Sequence, residues 1–564
     1  NDNEYFESID GNLYSKGGKT LRAYALAKRD VYFSIPDGVE KIDKYAMCSP
    51  YPISLTIPET VTEIDPDGIK GVKLAEIFNF SGQEIRNLDK GVNLFISVHP
   101  TIYTDKTAKS KLYYIQSDYV VFDDNDTVVL ASYTGDETEV VLPQEIGRIE
   151  QGAFYKDCKI ESIVLDGNVS ELDDSSFMVD GLKKVKFAGK IKKIGKVFGG
   201  NKPSDIYLGD NVAEFNVPFA YASGTGINYT VSESNAHYKA IDGNLYSKDG
   251  KILYSAARKN FKEFVVPEGV ETIYELAFYR CVELRSVTIP EGVKSIGSNA
   301  FNECYGLTSV TIPKNVTSIG DYAFYNCYHL AEVYNLSSLN FEIGSISYGG
   351  IGCYAIDIYD NTSEPSKLTK EGDFVIHTAN SGEKTLIGYF GDKTSVVLPD
   401  GVAKIVDFAF SAYRKLTNVK ISNSVTEIGC GAFEYCSALT NITIGNGVKI
   451  IGEGAFGYCS NLSSVTIPDS VTSIGKDAFM YCGSLSSVTI GRGVTSIGDS
   501  AFVGCNTRKV YYKGSEEDWI KIDGVENYRI DLRFATKYFY SETEPTDDGN
   551  YWRYVGGVPT VWTK

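Results

Sequence analysis

The 564-residue sequence contains few of the residues and strings that build catalytic and metal sites. It has four histidines, His99, His237, His329 and His377, and no two are close in sequence. No HExxH, GxSxG, CxxC or phosphate-loop string occurs, and no apolar run approaches the eighteen residues that a transmembrane helix needs. We therefore predict no enzyme activity, no cofactor, no bound metal and no membrane insertion in this segment.

The charge balance excludes another class of partner. The chain has 55 basic and 73 acidic residues, a net charge of −18, and such a surface repels nucleic acid and anionic lipid. It has only 3 methionines and 3 tryptophans but 40 tyrosines and 28 phenylalanines. This composition favours a β-rich, rigidly packed chain.

A fixed period of 23 residues dominates the C-terminal half. Phenylalanine, leucine and cysteine each recur at this interval, at Phe410, Phe433, Phe456, Phe479 and Phe502, at Leu416, Leu439, Leu462 and Leu485, and at Cys436, Cys459, Cys482 and Cys505. Such a period is typical of a solenoid, in which each unit stacks on its neighbours because it cannot bury its apolar face alone. One unit is called a rung below.

The rung that ends at Cys505 shows how each unit is built. The apolar residues Leu485, Val488 and Ile490 predict a short strand with alternate side chains inward, and a Gly- or Pro-containing turn follows it. The next apolar residues return from the opposite wall, and Ala501-Phe502 are predicted to form a short helical or 3₁₀ turn. Each rung then buries about five apolar side chains, at roughly 1.5–3 kcal/mol each.

Looser copies of the repeat precede the regular ones. The register recurs at 265–281, 284–304 and 307–327, and more loosely at 33–47, 55–69, 140–158 and 163–177. It degrades around residues 70–115, 185–236 and 333–370. We expect these stretches to be irregular parts of the same solenoid.

Seven of the eleven cysteines occupy one repeat position, three residues after the repeat phenylalanine: Cys281, Cys304, Cys327, Cys436, Cys459, Cys482 and Cys505. A disulfide framework has paired and irregular spacings instead. We predict a ladder of buried free thiols that behave as small apolar side chains.

A longer repeat overlies the rungs. The string IDGNLYSK occurs at 9–16 and again at 241–248, each time with strand-like arms around a glycine turn, and weaker counterparts lie at 119–133 and 373–389. These strings predict hairpins. The chain is therefore divided into 1–116, 117–236, 237–370 and 371–508, each a hairpin followed by rungs, and 509–564, a C-terminal cap and Trp-rich tail.

The two ends of the chain differ from the rungs. The start parallels the internal stretch from Ser234, so we expect a mature or trimmed fragment that has lost its targeting sequence. Near the C-terminus, Ser515 and Asp518 form a capping-box pattern that predicts a helix start. The segment 551–562 is strand-like and aromatic and predicts a small hairpin, and together these elements would close the open apolar end.

The string LTSVTIP…VTSIGDYAFYNC, residues 307–327, and its in-phase copies resemble the BspA-type leucine-rich repeat of bacterial surface proteins. The resemblance covers about 500 residues. It implies a right-handed leucine-rich-repeat superhelix, α/β but β-dominated, together with secretion and a role in adhesion or host-protein binding. A Pro/Gly turn stands where ordinary leucine-rich repeats have Asn or Cys after the strand. The outer wall is therefore either a second strand layer or a row of helices.

Two features are candidate sites. Tyr435, Tyr458 and Tyr481 precede repeat cysteines, so stacked rungs should align them into a stripe that either contacts a ligand or only packs over the rung edges. The irregular stretch 348–359 adds Tyr348 and Tyr354 as candidate ligand contacts. The acidic tip 123–126 lacks the calcium-loop pattern and matches a hairpin turn better.

These observations lead to a functional hypothesis. We predict a monomeric bacterial protein, secreted or on the cell surface, that binds proteins or glycans of the host or extracellular matrix. The alternative is a structural spacer that displays another domain, which the small polar residues at outward strand positions such as Thr440 and Thr466 favour. An enzyme is the third hypothesis, and it would need a deep pocket with converging carboxylates or a histidine-centred dyad.

Overall fold

The structure is a computed structural model that describes residues 3–25, 32–47, 54–69, 76–83, 101–104, 114–154, 159–198, 203–215, 227–257, 261–525, 532, 535–546 and 548–562. The chain forms two compact units, Asn1–Lys259 and Asn260–Lys564. Both are built almost entirely from short β-strands.

The strands of the first unit are β1 (Phe6–Ile9), β2 (Asn12–Ser15), β3 (Thr20–Ala23), β4 (Tyr32–Ser34), β5 (Lys41–Ile42), β6 (Ser54–Ile57), β7 (Glu63–Ile64), β8 (Glu76–Asn79), β9 (Thr101–Tyr103), β10 (Tyr114–Gln116), β11 (Tyr119–Asp124), β12 (Thr127–Tyr133), β13 (Glu139–Val141), β14 (Ile146–Ile149), β15 (Ser162–Leu165), β16 (Glu171–Leu172), β17 (Lys184–Phe187), β18 (Lys193–Ile194), β19 (Asp205–Leu208), β20 (Glu214–Phe215), β21 (Asn228–Val231), β22 (Tyr238–Ile241), β23 (Asn244–Ser247) and β24 (Ile252–Ser255).

The second unit contains β25 (Glu263–Val265), β26 (Thr272–Ile273), β27 (Ser286–Thr288), β28 (Ser295–Ile296), β29 (Ser309–Ile312), β30 (Ser318–Ile319), β31 (Glu332–Asn335), α1 (Ser347–Gly350), β32 (Asp357–Tyr359), β33 (Leu368–Glu371), β34 (Phe374–Thr378), β35 (Lys384–Tyr389), β36 (Ser395–Val397), β37 (Val402–Ile405), β38 (Asn418–Lys420), β39 (Glu427–Ile428), β40 (Asn441–Thr443), β41 (Ile450–Ile451), β42 (Ser464–Ile467), β43 (Ser473–Ile474), β44 (Ser487–Ile490), β45 (Ser496–Ile497), β46 (Lys509–Tyr512), α2 (Glu516–Trp519), β47 (Thr536–Tyr540), β48 (Tyr551–Val555) and β49 (Val558–Val561).

Successive rungs pair in parallel with the 23-residue register that the sequence predicts. Strand β42 lies beside β44 with Val465 opposite Val488, and β38 lies beside β40 with Val419 opposite Ile442. The repeat phenylalanines stack inside, and the rings of Phe433 and Phe456 are 5.3 Å apart and nearly parallel. The solenoid prediction is therefore confirmed, and the fold is a β-dominated leucine-rich-repeat solenoid.

The outer wall is a second layer of strands. Strands β39, β41, β43 and β45 have two residues each and pair in parallel, with Ile428, Ile451, Ile474 and Ile497 aligned. The side chains of these four isoleucines face the core from the side opposite the wall that contains β42 and β44, and all four side chains are buried. The sequence left two alternatives for the outer wall, a strand layer or a row of helices, and these rungs have the strand layer.

The segment that carries the repeat phenylalanine is a turn, so the predicted helical or 3₁₀ conformation at Ala501-Phe502 is wrong. Ser500 and Gly504 flank it with positive φ angles of 58° and 73°. One set of backbone N–H groups bonds within the rung, as from Val503 to the Ser500 carbonyl at 3.1 Å. The alternate set bonds to the next rung, as from Phe479 to the Ala501 carbonyl at 2.7 Å. The residues with positive φ direct the alternate N–H groups toward the next rung. In a right-handed helix these groups would bond within their own segment.

Antiparallel strands mark the four predicted hairpins. Each is a three-stranded meander, formed by β1–β3, β10–β12, β22–β24 and β33–β35. The predicted hairpins contain the second turn of each meander but not the first. Asp10-Gly11 and Asp242-Gly243, all with positive φ, form two of these missed turns, and Asp-Gly is a strong signal for a two-residue hairpin loop. The division of the chain into five blocks stays a prediction.

Stretches where the sequence pattern degrades still form rungs. Strands β15, β17, β19 and β21 pair in parallel without a break, although the repeat is weak between residues 185 and 236. Strands β31 and β32 do the same across 333–370. Much of the third weak stretch, 70–115, lies outside the described residues. Backbone pairing therefore extends beyond the recognisable repeat.

The C-terminal segment continues the sheet of β42 and β44, to which β46, β47, β48 and β49 are added in order. Ser515 caps α2 by accepting a hydrogen bond from the Asp518 N–H at 3.2 Å, as predicted. Trp519 packs edge-on against Tyr512, and Trp552 is fully buried and donates its indole N–H to the Tyr512 carbonyl at 2.9 Å. Strands β48 and β49 form the predicted hairpin. These aromatic residues cover the last rung.

The inward and outward assignments can be tested by substitution. Phe456 is fully buried between two stacked rings, whereas Thr466 is exposed on the strand face. Phe456→Ala should lower the free energy of unfolding by about 3–5 kcal/mol, and Thr466→Ala should change it by less than about 0.5 kcal/mol. Urea denaturation of the two variants measures both values, and equal losses would contradict the assignment.

Candidate functional site

Tyr435, Tyr458 and Tyr481 form the predicted stripe on the turn face of the second unit. The rings of Tyr435 and Tyr458 stack at 4.5 Å, and those of Tyr458 and Tyr481 lie 5.2 Å apart. Tyr435 is 43% exposed and Tyr481 is 50% exposed, while Tyr458 between them is half-buried. These three residues are called the tyrosine stripe below.

The backbone holds the stripe in place. All three tyrosines have positive φ, between 55° and 60°, and each N–H donates to the next rung, as from Tyr458 to the Met480 carbonyl at 2.7 Å. Ala412 and Gly504 hold the equivalent positions in the rungs on either side. A Cβ atom at Gly504 would overlap the Tyr481 ring. Gly504 therefore avoids a clash with the Tyr481 ring, and the tyrosine stripe ends at Tyr481.

A cavity of about 270 Å³ opens beside the stripe. Gly431, Gly454 and Gly457 line it at positions where neighbouring rungs carry side chains, among them Phe408 and Met480. A Cβ atom at Gly454 would have no neighbour within 4 Å, and one at Gly457 would meet its nearest atom at 3.3 Å. The cavity, called the groove below, therefore exists because glycine interrupts rows of side chains.

Carboxylates line the groove together with the aromatic rings. Glu434, Glu453 and Asp477 contribute to its wall. Lys476 pairs with Glu453 at 3.5 Å and with Asp477 at 3.6 Å, and its own side chain is 57% exposed. Glu434 is half-buried, and its carboxylate has no hydrogen bond or ion pair among the described residues. Burial raises the pKa of this carboxyl. The groove is acidic, with one carboxylate unpaired.

Tyr354 joins the same surface through two further rings. It packs edge-on against Tyr328 at 5.2 Å, Tyr328 stacks on Phe408 at 4.1 Å, and Phe408 lines the groove with Tyr458. Tyr328 and Phe408 are therefore site residues that the sequence reading missed. They belong to different blocks, so no local pattern connects them.

Tyr348 is placed differently. Its ring contacts Phe341 at 5.5 Å and none of the stripe tyrosines. Tyr348 has a φ of 50°, and the next carbonyl, that of Gly349, accepts a hydrogen bond from Phe324 N–H at 2.8 Å. This segment thus completes the turn ladder in place of a regular rung. The structure does not bring Tyr348 together with the other four candidates.

A histidine–carboxylate pair is present, but it belongs to a buried network. The imidazole Nε2 of His377 lies 2.8 Å from Asp357 Oδ2, and Lys367 and Tyr359 also donate to that carboxylate at 3.1 and 2.9 Å. Burial acts to raise the pKa of Asp357, but these three hydrogen bonds outweigh it and lower the pKa. The fully buried Glu332 accepts from the Lys367 backbone N–H at 2.7 Å. His377 is 2% exposed and does not line the groove. The network joins β32 to β34 and to Lys367, the residue directly before β33.

His329 is buried without a hydrogen bond. Neither ring nitrogen has a partner among the described residues, and the ring packs edge-on against Phe390 at 5.3 Å. Burial lowers the pKa of His329 to about 4, although nearby backbone carbonyls act in the opposite direction. The side chain is therefore neutral at pH 7, and its protonation opposes folding.

The repeat cysteines are free thiols, as predicted, and each has a defined partner. The thiols of Cys304, Cys327, Cys436, Cys459, Cys482 and Cys505 all donate to the carbonyl of a phenylalanine one rung earlier, at 3.0 to 3.2 Å. Burial raises the pKa of the Cys436 thiol to about 12. Five of these six thiols are buried, and that of Cys505 is partly exposed. Cys48 and Cys158 lie outside the described residues.

The acidic tip at 123–126 is a hairpin turn. Asn125 and Asp126 have φ angles of 48° and 65° between β11 and β12, and Asp124 pairs with Arg148 at 3.0 Å. Within the described ranges, no group of three His, Cys, Asp or Glu side chains is arranged to hold a metal ion. None of the helices in those ranges is long and apolar enough to cross a membrane.

The stacked rungs define a leucine-rich-repeat solenoid, and comparison with known families identifies its type. The model of the BspA type Leucine rich repeat region matches six copies over residues 133–222, 253–364 and 389–509, more than half of the chain. The chain belongs to this family.

Several solved structures are similar to the chain. A leucine rich cell surface protein of Faecalibacterium prausnitzii is 23% identical over 74% of this chain and 98% of its own, with a TM-score of 0.33. The leucine rich repeat protein of T. pallidum is 31% identical over 25% of this chain and 70% of its own, with a TM-score of 0.25. The pneumococcal vaccine antigen PcpA is 15% identical over 77% and 95%, with a TM-score of 0.31. No curated protein matches the chain.

Thiol labelling tests the cysteine ladder. In the native protein, Cys459 and Cys482 should react with iodoacetamide at least about 100-fold more slowly than the partly exposed Cys430, because burial restricts the access of the reagent. Peptide mass spectrometry gives the extent of labelling at each position, and labelling in urea shows that every thiol can react. Equal native rates at Cys430 and Cys459 would place the ladder outside the core.

Acid titration tests the burial of His329. Its folded pKa of about 4 lies below the usual value of about 6.5, so the unfolded chain binds more protons between these values. As the pH falls from 6.5 to 4, this residue should lower the free energy of unfolding by roughly 3 kcal/mol. His329→Phe should remove that part of the acid slope in urea denaturation series. An unchanged slope would show that His329 is accessible to protons in the folded protein.

Proposed function

We propose that this chain is a binding protein of the bacterial cell surface or the extracellular space, which holds proteins or glycans of the host or its matrix. The tyrosine stripe and the groove beside it form the contact surface. The chain acts without a cofactor and binds as a monomer.

The observation that carries this proposal is the tyrosine stripe. Three aromatic rings stand in line on rigid backbone, with two of them at least 43% exposed. Exposed tyrosines on a fixed scaffold give large contact area at a low cost in conformational entropy, and tyrosine is among the residues that dominate binding energy at interfaces. A purely structural ladder has no need for a cavity beside it, whereas a binding surface does.

The spacer hypothesis has its own support elsewhere on the chain. The outward strand positions carry short polar side chains that bond to each other along the ladder, as the Asn441 amide does to Asn418 at 2.9 Å. Such a face offers no anchor residue for a partner. The two hypotheses therefore concern different faces of the second unit, and a test must address the stripe directly.

A binding screen with stripe variants separates the two functions. Matrix proteins, mucins and a glycan array are probed with the full chain and with a triple variant, Tyr435→Ala, Tyr458→Ala and Tyr481→Ala. Alanine already holds this position at Ala412, with a φ of 60°, so the variant should fold. A partner found in the screen should bind the triple variant at least about tenfold more weakly.

The control is Tyr322→Ala, which removes an exposed tyrosine with positive φ that is not in the stripe. It should leave the affinity unchanged. A partner whose affinity survives in the triple variant would contradict the assignment of the stripe. Silence across the whole screen would favour the spacer.

A further inference from the structure

We infer that the groove beside the tyrosine stripe receives the side chain of an arginine, presented by a basic peptide segment of a partner protein. The inference rests on the proposed binding function and names the chemistry that the groove selects. Its size, its charge, its open ring faces and an internal contact of the same chain each support it.

The volume of the groove fits one long side chain. At about 270 Å³ it is just smaller than the range of roughly 300–1,000 Å³ that is usual for sites of small-molecule ligands. Gly454 and Gly457 keep the interior open, and the Tyr458 ring and Met480 give it apolar walls. A flexible aliphatic stem with a planar charged end suits such a space.

The negative charge of the groove favours a cationic ligand. Three carboxylates line it, those of Glu434, Glu453 and Asp477. Among the described residues, Lys476 is the one base that pairs with any of these carboxylates, and it pairs with Glu453 and Asp477. The Glu434 carboxylate has no partner among the described residues and is half-buried. Its raised pKa shows that burial already disfavours its charge. A guanidinium brought within hydrogen-bond distance would restore the lost interaction.

The rings of the stripe are also available. Lys or Arg side chains lie over aromatic rings elsewhere in the chain, as Arg553 does over Trp562 at 3.7 Å. In the described part of the structure no such cation covers Tyr435, Tyr458 or Tyr481. A guanidinium entering the groove would approach the Tyr458 ring and gain a cation–π contact.

The chain contains an internal example of the contact on the same face. Arg280 and Glu303 occupy, in two earlier rungs, the position that the stripe tyrosines hold later, directly before the repeat cysteine and four residues before the next leucine of the repeat. Their side chains pair at 2.7 Å, and Tyr279 and Tyr305 both donate hydroxyl hydrogen bonds to Glu303. Arg280 also lies 5.5 Å from the Tyr279 ring. Arginine, carboxylate and tyrosine are thus compatible with this backbone, and the groove lacks only the arginine.

The test measures binding of a fluorescein-labelled peptide with four Gly-Ser-Arg repeats and of its twin with citrulline for arginine. Citrulline keeps the shape and removes the charge. Fluorescence anisotropy with the full chain should give an affinity for the arginine peptide at least tenfold higher than for the citrulline peptide. Equal affinities would overturn the inference.

Two groove variants show where the peptide binds. Gly457→Met fills the groove with the side chain that Met480 places at the same position one rung later, and it keeps the net charge. Glu434→Gln removes the unpaired carboxylate. Each substitution should lower the affinity for the arginine peptide at least fivefold. The matched controls Val503→Met and Glu268→Gln lie outside the groove and should leave the affinity unchanged. Unchanged affinity in Gly457→Met would assign the binding to nonspecific attraction by the acidic surface and refute the inference.

The two proposals fail in different ways. A glycan or protein that loses affinity in the triple tyrosine variant, while the arginine peptide does not bind, would refute the arginine site and leave the binding function standing. If no partner binds in the screen and the arginine peptide binds neither the full chain nor any of its variants, both proposals are wrong.

Discussion

The stacking of each rung on the next is the interaction on which the rest of the structure depends. Strand pairing joins rungs at two walls, and alternate backbone N–H groups join them again at the turn. Phenylalanine rings stack inside, and six of the seven ladder thiols donate a hydrogen bond to a carbonyl of the preceding rung. A single rung satisfies few of its polar groups and buries little apolar surface alone, so stability comes from neighbours. Equivalent residues of successive rungs are therefore held in rows.

The candidate site follows from the same constraint. Because each repeat position becomes a row, three tyrosines at one position become a stripe, and glycines in adjacent rows become a groove. The site needs no loop insertion and no departure from the backbone of the repeat. Its shape depends on side chains that change while the hydrogen bonds stay the same. Surface function and core stability are thereby separated, since the inward rows of phenylalanine, leucine and cysteine carry the packing.

The sequence predicted what the period determines and missed what depends on contact between blocks. The spacing of Phe433 and Phe456 was enough to predict their stacking, and the spacing of Tyr435 and Tyr458 was enough for the stripe. The turn conformation was not predictable from apolar pattern, because positive φ is taken here by residues as different as Phe408, Tyr458 and Asp477. Tyr328 and Phe408, 80 residues apart, meet only because the last two sets of rungs pack together. The hydrogen bond of His377 with Asp357 and the ring contact of His329 with Phe390 have the same origin.

The difference between the two regular sets of rungs in the second unit bears on the place of the proposed binding site. Both offer the same face, with the same left-handed backbone before the cysteine. In the earlier set, Arg280 and Glu303 neutralise each other there, so the charge of that face is already satisfied. In the later set, tyrosine occupies this position, and acidic residues lie in the adjacent rows, where the Glu434 carboxylate has no partner among the described residues. Repetition of a stable unit makes most positions equivalent, and a local feature of the surface arises where that equivalence is broken. The groove is such a place, because glycine, carboxylate and tyrosine replace one another from rung to rung around it.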